Sequence, residues 1–392
     1  MDNNIVYGDI DFEMLRLRRN ADILYKKTEI LDAMMIADIA PVKLLSVNEK
    51  LLRKISCNPF VPEDKKVLDE HCKEIFNIQT VALARRIEHT HAKKITVGIS
   101  GGLDSTLALL VSVNAMKLLG RPAGDVVAVT MPGFGTSDHT HDNAWIIMET
   151  LETDAREIPI GEAVAGHFRD INHDPELHDV TYENAQARER TQILMDLANK
   201  EGGFVIGTGD LSELALGWCT YNGDHMSMYS VNADVPKTLV RLVVGWFADN
   251  IVSDEYCSDA PQLKKALYDI METPISPELL PPDSNGNIAQ KTEERVGPYE
   301  LNEFFIYYML RYGMRPAKLY QLAISAFDGK FDNTTIKKWL QEFYRRFFAQ
   351  QFKRNCMPDG PRVGSVSLSP RGAWIMPSDV DVAIWLSEVN EL

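Results

Sequence analysis

The most informative chemical motif of the chain is a glycine-rich segment with one acid, residues 98–105 (GISGGLDS). Glycines let backbone N–H groups approach an anion without interference from a Cβ atom. Ser100, Ser105 and Thr106 can add hydroxyl donors for phosphate oxygens. A carboxylate beside phosphates is favourable when a divalent cation lies between them, so Asp104 predicts a metal ion. The segment lacks the lysine of a P-loop and does not match G-x-G-x-x-G. The alternative interpretation is an ordinary glycine-rich turn.

A second acidic segment, residues 207–213 (GTGDLSE), follows another predicted strand. If the two strands are close in the sheet, Glu213 lies near Asp104 and the two carboxylates can share a Mg²⁺ ion. The alternative is a helix start in which Asp210 or Ser212 is only the N-cap.

Two further segments could bind an organic ligand and its phosphates. Residues 218–224 (WCTYNGD), followed by 232–237 (NADVPK), combine aromatic rings with amide and hydroxyl groups, which suits a planar heterocycle with a ribose. The alternative is a structured loop. Because the glycine-rich segment has no cation, one must come from elsewhere, and the candidates are Lys237, Lys353, Arg354 and Arg188. For each of them the alternative is a solvated basic surface.

The segment 138–142 (DHTHD) resembles a metal cluster only superficially, because its spacing matches no open metal site. We interpret it as a polar loop in which Asp138 or Asp142 caps a helix.

The elements that must position these residues alternate between strand and helix. The apolar patterns predict strands at 95–99, 126–131, 157–160 and 204–207, with helices at 64–90, 106–119, 142–151 and 184–198. This alternation predicts an α/β fold: a Rossmann-like parallel sheet with helices on both faces, followed by a helical C-terminal extension. In such sheets ligands bind beyond the carboxyl ends of the strands.

Composition narrows the class of protein. The 392 residues are 45% hydrophobic and 25% charged, which excludes a disordered or fibrous chain. A net charge of −15 argues against a nucleic-acid-binding protein. No apolar run is long enough to span a membrane, and the acidic start is no signal peptide. Five cysteines without a CxxC pair argue against a disulfide framework or a zinc knuckle, so we expect a cytoplasmic protein.

Changes of composition predict four regions. We expect a remnant of an upstream domain and linker at 1–57, a nucleotide-binding core at 58–270, a mobile loop at 271–298, and a helical extension with an irregular tail at 299–392. The segment 237–248 is apolar nearly all round, which indicates either core or a subunit interface.

Five strings in order resemble one enzyme family. SGGLDS at 100–105 is similar to the loop of the N-type ATP pyrophosphatases. With ENAQARER at 183–190, GTGDLSELALGWCTYNGD at 207–224, VPKT at 235–238 and QFKR at 351–354, it resembles the synthetase domain of glutamine-dependent NAD⁺ synthetases over about residues 58–385. Residues 6–20 look like the end of the nitrilase-like glutaminase domain that precedes it in long members, so we expect a C-terminal fragment without that domain.

The resemblance implies ATP- and Mg²⁺-dependent amidation of deamido-NAD⁺ to NAD⁺, with an acyl-adenylate intermediate and release of AMP and pyrophosphate. It implies ammonia as the direct nitrogen donor for this chain, glutamine for full-length enzymes, and a homo-oligomer such as the dimers of short-form relatives. One alternative is another amidase with this loop, of the GMP or asparagine synthetase type. A second is a tRNA-thiolating enzyme, but the acidic net charge argues against it. A third is a non-catalytic nucleotide-binding module on the same fold.

The resemblance also implies residue roles. Asp104, Glu213 and Lys237 would be catalytic, with Asp104 and Glu213 as the metal ligands. ATP would be bound by Gly98, Ile99, Ser100, Gly101, Gly102, Leu103, Asp104, Ser105 and Thr208. Deamido-NAD⁺ would be bound by Asn184, Arg188, Glu213, Trp218, Cys219, Thr220, Tyr221, Asp224 and Lys353. Short family members have a lysine at the position of Tyr221, and the tail lacks an expected acid and base at Ala373 and Ile375, so its role is open.

Overall fold

A computed structural model describes residues 8–22, 51–275, 279–280 and 292–392 of the chain. The strands are β1 (Ile95–Gly98), β2 (Val126–Thr130), β3 (Asp154–Glu157), β4 (Phe204–Gly207) and β5 (Tyr229–Ser230). The α-helices are α1 (Phe12–Ala21), α2 (Lys65–Thr90), α3 (Leu103–Leu118), α4 (Asp138–Thr150), α5 (Gly161–Asp170), α6 (Val180–Glu201), α7 (Leu211–Leu216), α8 (Lys237–Asn250), α9 (Ala260–Glu272), α10 (Thr292–Val296), α11 (Tyr299–Tyr312), α12 (Pro316–Ala326), α13 (Asn333–Ala349), α14 (Gln351–Asn355) and α15 (Ala383–Asn390).

The five strands form one parallel sheet in the order β3-β2-β1-β4-β5. β1 lies at the centre and is paired with β2 on one side and β4 on the other. The predicted α/β fold with a parallel sheet is confirmed. Because β1 and β4 are neighbours, the two predicted ligand segments leave the sheet side by side at its carboxyl edge.

The two faces of the sheet pack on different helices, as the alternating side chains of a strand require. On β2, Val126 and Ala128 belong to the large core with α2, α3, α4, α8 and α9, whereas Val127 and Val129 face α5 and α6. Strands covered on both faces are mostly apolar, and all five residues of β2, four of them apolar, are buried.

A separate apolar cluster holds the C-terminal helices together. It is built mainly from α11, α12 and α13, and α7 packs into it with Leu211 and Leu216. The helix that carries Glu213 is therefore held between the sheet region and the C-terminal helices. A shift of the C-terminal helices would move this acid.

The environment of helix α8 decides between the core and subunit-interface interpretations of segment 237–248. Its apolar side chains Leu239, Val240, Val243 and Val244 are at most 3% exposed in the large core of this chain. The core interpretation of segment 237–248 therefore holds for these residues. A helix that packs against neighbours on most of its circumference needs no polar face.

Several predicted boundaries are wrong. The third strand is Asp154–Glu157 and not 157–160, because the pairing of β3 with β2 starts at Asp154. Helix α4 starts at Asp138, and its N-cap is Ser137 and not Asp138 or Asp142. The tail predicted to be irregular contains α15. The interior of the predicted loop 271–298, residues 276–278 and 281–291, and most of 1–57 lie outside the described residues.

Candidate active site

One cavity of about 920 Å³ opens at the carboxyl edge of the sheet. Every residue to which the family resemblance assigns a role lines it: Gly98, Ile99, Ser100, Gly101, Gly102, Leu103, Asp104, Ser105, Asn184, Arg188, Thr208, Glu213, Trp218, Cys219, Thr220, Tyr221, Asp224, Lys237 and Lys353. The structure thus brings these residues together, while their individual roles stay predictions.

The glycine-rich loop joins β1 to α3 and presents the start of that helix to the cavity. Gly101 has a φ of 82°, and a Cβ atom there would lie 2.1 Å from the carbonyl oxygen of Thr140. No other residue type fits this position without strain. The N-cap residue of α3, Gly102, has no side chain to cap the helix. The first residues of α3 line the cavity, so the positive end of the helix dipole faces it without a capping side chain.

The loop hydroxyls divide into two groups. Ser100 and Ser105 line the cavity, their Oγ atoms lie 3.2 Å apart, and Ser105 also donates its hydroxyl to the carbonyl oxygen of Gly102. Thr106 is only 1% exposed and donates its hydroxyl to the carbonyl oxygen of Gly102. The expectation that Thr106 donates to phosphates is therefore wrong, because Thr106 is buried and, unlike Ser105, does not line the cavity.

Three carboxylates converge on one ammonium group in the wall of the cavity. Lys237 Nζ lies 2.9 Å from Asp210 Oδ2 and 2.8 Å from Glu213 Oε1, and it also donates to Asp104. Lys237 and Asp210 are almost fully buried, whereas the side chains of Asp104 and Glu213 retain 20% exposure on the cavity side. Asp210 is the N-cap of α7, as its Oδ1 accepts from the Glu213 backbone N–H, so the capping alternative and the acidic cluster are both present.

Burial and like charge act together on the acids. Burial, and next the charge of Asp104, raise the pKa of Glu213 to about 7, and Lys237 offsets only part of this. Burial likewise raises the pKa of Asp210. For Lys237, burial favours the neutral amine, but the three carboxylates outweigh it and hold the pKa well above the usual range. The cluster has three acids for one permanent cation, so it has a large capacity for added positive charge.

The donor set fits a hard divalent cation. One carboxylate oxygen from each of Asp104, Asp210 and Glu213 lies within 4.8 Å of the others. The Oδ1 atom of Asp104 is buried and has no hydrogen-bond partner. Carboxylate oxygens are the ligands that Mg²⁺ prefers. Within the described part of the chain, no other group of three or more acidic, histidine or cysteine ligands is so close, and the segment 138–142 is not part of one.

The wall beyond Glu213 is the segment 218–224, which is fixed by side chains from α6 and α14. Thr220 donates its hydroxyl to Asn184 over 2.8 Å, and Arg188 donates to the carbonyl oxygen of Tyr221 over 3.2 Å. Lys353 Nζ donates to the carbonyl oxygens of residues 217 and 219. Burial raises the pKa of Asp224, which accepts from the Thr220 backbone N–H.

The C-terminal helices supply cavity residues that sequence reasoning missed. Arg346 lies over the ring of Trp218 at 5.5 Å and, together with Gln350 and Phe352, lines the cavity. Arg354, expected as a phosphate-binding cation, is fully buried and donates to the carbonyl oxygens of Leu214 and Ala215. That expectation is wrong, because its guanidinium caps the carboxyl end of α7. Only the spacing of basic residues along α13 and α14 could have suggested Arg346.

A protein-family model described as NAD synthase matches residues 75–271, about half of the chain. The chain belongs to the NAD synthase family. The match covers the sheet, the glycine-rich loop, the acidic cluster and Lys237. The predicted family is confirmed.

Long glutamine-dependent NAD⁺ synthetases are similar to this family member over most of its length. The protein of Mycobacterium leprae is 42% identical over 366 residues, which are 88% of this chain and 53% of that protein. The protein of Mycobacterium tuberculosis H37Rv is 40% identical over 363 residues, which are 87% of this chain and 52% of that protein. The chain spans about half the length of these curated relatives.

A solved structure shares the fold. The crystal structure of a glutamine-dependent NAD⁺ synthetase from Cytophaga hutchinsonii superposes with a TM-score of 0.65 at 18% identity and covers 82% of this chain and 56% of that one. In the described part of the present chain, no helix is both long and apolar enough to cross a bilayer.

Proposed function

We propose that this chain makes NAD⁺ by amidating deamido-NAD⁺ at the expense of ATP, with AMP and pyrophosphate as the other products. The observation that carries the proposal is the meeting of a lysine-free glycine loop with Asp104, Glu213 and Lys237 in one cavity. Membership of the NAD synthase family supports the overall reaction. The adenylate intermediate and the nitrogen donor rest on the chemistry below.

A carboxylate must be activated before ammonia can attack it. The negative charge of the nicotinate carboxylate repels a nucleophile, and transfer of AMP to that carboxylate removes the charge and creates a leaving group. The glycine loop and the start of α3 bind the departing pyrophosphate through backbone N–H groups and through Ser100 and Ser105. Ammonia then attacks the acyl-adenylate and AMP leaves.

The acidic cluster would hold the metal. Asp104 and Glu213 face the cavity, and a Mg²⁺ ion bound there would offset the charge that grows on the pyrophosphate. Lys237 offsets part of the effect of burial on the pKa of Asp210 and Glu213, and its ammonium holds the three carboxylates close together. None of these residues acts as a covalent nucleophile, and the rate comes from positioning and electrostatics.

The segment 218–224 and the cations around it suit the dinucleotide. Trp218 and Tyr221 offer rings for a heterocycle, while Arg188, Arg346 and Lys353 offer positive charge to its phosphates and carboxylate. The proposal keeps the division of the chain into a core at 58–270 and an extension at 299–392. It also keeps the prediction of a cytoplasmic location and of a homo-oligomer.

The decisive experiment is mass analysis of the products that the purified chain forms from ATP, Mg²⁺, ammonium and deamido-NAD⁺. We expect NAD⁺, AMP and pyrophosphate in equal amounts. Formation of ADP and phosphate would contradict the adenylate step. GMP- or asparagine-forming substrates, offered in parallel, should give no AMP. We propose free ammonia as the direct nitrogen donor of this chain, and we therefore expect no NAD⁺ with glutamine in place of ammonium.

A further inference from the structure

A buried carboxylate from the C-terminal helices lies directly under the acidic cluster. Glu303 on α11 is 3% exposed and does not line the described cavity. Its Oε1 accepts a hydrogen bond from Ser212 Oγ over 2.8 Å and one from the Thr238 backbone N–H over 3.1 Å. Its Oε2 accepts from the Thr238 hydroxyl. Residues 212 and 238 are the sequence neighbours of Glu213 and Lys237.

Helix α8 depends on this external acceptor. Its N-cap residue is Pro236, which has no side-chain acceptor, so the first N–H groups of α8 need partners from elsewhere. The Lys237 N–H donates to Ser212 Oγ over 3.1 Å, and the Thr238 N–H donates to Glu303. Ser212 thus accepts from Lys237 and donates to Glu303. One hydrogen-bonded chain joins the starts of α7 and α8 to α11.

We infer that Glu303 is a positioning residue that sets the place of the Lys237 ammonium among the three carboxylates. It does so by capping α8 and by fixing Ser212, which lies between Asp210 and Glu213 on α7. The helix dipole favours an acceptor oxygen at a helix start, so the group that caps α8 is also the group that ties it to α7.

The inference extends the site beyond the matched family region. Glu303 lies outside residues 75–271, which the family model matches, and it comes from α11, whose buried apolar side chains belong to the C-terminal apolar cluster. Packing of the C-terminal helices is thereby coupled to the geometry of the cluster. The kinetic consequences rest on the proposed function, whereas the position of Lys237 can be tested without turnover.

The test combines three variants with one control. Glu303→Ala removes all three acceptor contacts, Glu303→Gln keeps one oxygen acceptor without the charge, and Ser212→Ala breaks the chain on the α7 side. Met309→Ala shortens another buried side chain of α11 in the apolar cluster and serves as a control for general loosening of the helix. For each of the four variants the urea concentration is chosen so that the free energy of unfolding is the same in all of them.

The first readout is acetylation of Lys237 by acetic anhydride, mapped by peptide mass spectrometry against the exposed Lys65. Lys237 is 2% exposed, so its labelling reports local opening of the cluster. We expect labelling to rise about tenfold in Glu303→Ala and about threefold in Glu303→Gln and Ser212→Ala, and to stay at the wild-type rate in Met309→Ala. Equal labelling in Glu303→Ala and Met309→Ala would overturn the inference.

The second readout is AMP release with the substrates of the proposed reaction. We expect kcat to fall about tenfold in Glu303→Ala while KM for deamido-NAD⁺ changes less than about twofold, and Glu303→Gln to recover part of kcat. An unchanged kcat in Glu303→Ala would overturn the inference. If the wild-type chain forms no NAD⁺ but the labelling pattern appears, the proposed function fails and the positioning role stands.

Discussion

Two four-residue charge clusters occupy opposite edges of the same sheet. At the carboxyl edge Lys237 meets Asp104, Asp210 and Glu213. At the amino edge Lys94 and Arg156 meet Asp154 and Glu201, with Lys94 2.6 Å and Arg156 2.7 Å from Asp154 and Arg156 2.8 Å from Glu201. The first cluster has three acids for one cation, and the second has two of each.

The two clusters differ in their balance of acidic and basic groups. At the amino edge the hydrogen bonds from Arg156 hold the pKa of Asp154 down at about 2, so this acid is ionised and satisfied. At the carboxyl edge burial raises the pKa of Glu213 to about 7. A balanced cluster stabilises the fold as it is, whereas an acid-rich cluster becomes favourable only when a further cation arrives. Such an excess beside a cavity is the pattern expected of the proposed functional site.

Removing the cation should affect the acid-rich cluster most. Lys237→Met leaves the buried Asp210 and the two partly buried acids Asp104 and Glu213 without their shared cation, and we expect the free energy of unfolding to fall by roughly 3–5 kcal/mol at neutral pH. AMP release should be lost as well. Urea unfolding measures the first effect, with Lys94→Met as the matched control at the amino edge. Equal losses in the two variants would contradict the distinction between the clusters.

Asp104→Asn should separate activity from stability. The variant keeps the size of the side chain but removes a carboxylate of the proposed metal site, so AMP release should fall roughly 10²-fold or more. Stability should change by less than about 1 kcal/mol, since the loss of a Lys237 partner is offset by weaker repulsion among the acids. Asp154→Asn at the amino edge should leave AMP release intact. An unchanged Mg²⁺ dependence in Asp104→Asn would refute its assignment as a ligand.

The two clusters should respond to pH in opposite directions. The folded state raises the pKa of Glu213 from 4.5 to about 7, so it binds more protons than the unfolded state between these values, and its contribution to stability falls as pH rises through this window. For Asp154 the pKa is lowered from 3.8 to about 2, so its contribution is complete above 3.8 and is lost as pH falls towards 2.

The pH effect can be measured by urea unfolding of Glu213→Gln and Asp154→Asn against wild type. From about pH 5 to about pH 8, Glu213→Gln should gain roughly 1–3 kcal/mol relative to wild type. Asp154→Asn should show a constant difference over that range, which shrinks only in acid. A stability difference for Glu213→Gln that does not vary with pH would show that Glu213 titrates as it does in the unfolded chain.

Lys94→Met should have the smallest effect. Its pair with Asp154 is partly exposed, and Arg156 keeps the acid paired when the lysine is gone. We expect a loss of about 1 kcal/mol or less in urea unfolding and unchanged AMP release. A loss of activity in this variant would mean that the amino edge of the sheet is coupled to the site.

The residues of the candidate site can be predicted from the sequence better than the boundaries of the helices and strands. The glycine loop and the acidic segment were recognisable because chemistry demands particular residue types at short spacing, as with Gly101, which no other residue can replace. Boundaries depend on tertiary contacts and caps, since helix α4 begins where Ser137 caps it and β3 begins where β2 offers a partner.

What the sequence by itself determined is the parallel α/β fold, the family and the two segments that follow β1 and β4, because hydrophobic period and motif spacing are local properties. Only the tertiary structure decided that Lys237 lies among three acids, that Arg354 caps a helix, and that Arg346 and Glu303 belong to the site region. These contacts join residues far apart in the chain, and a lone Glu or Arg on a helix carries no local sign of its partner. Burial and pairing, which set charge and pKa, exist only after folding.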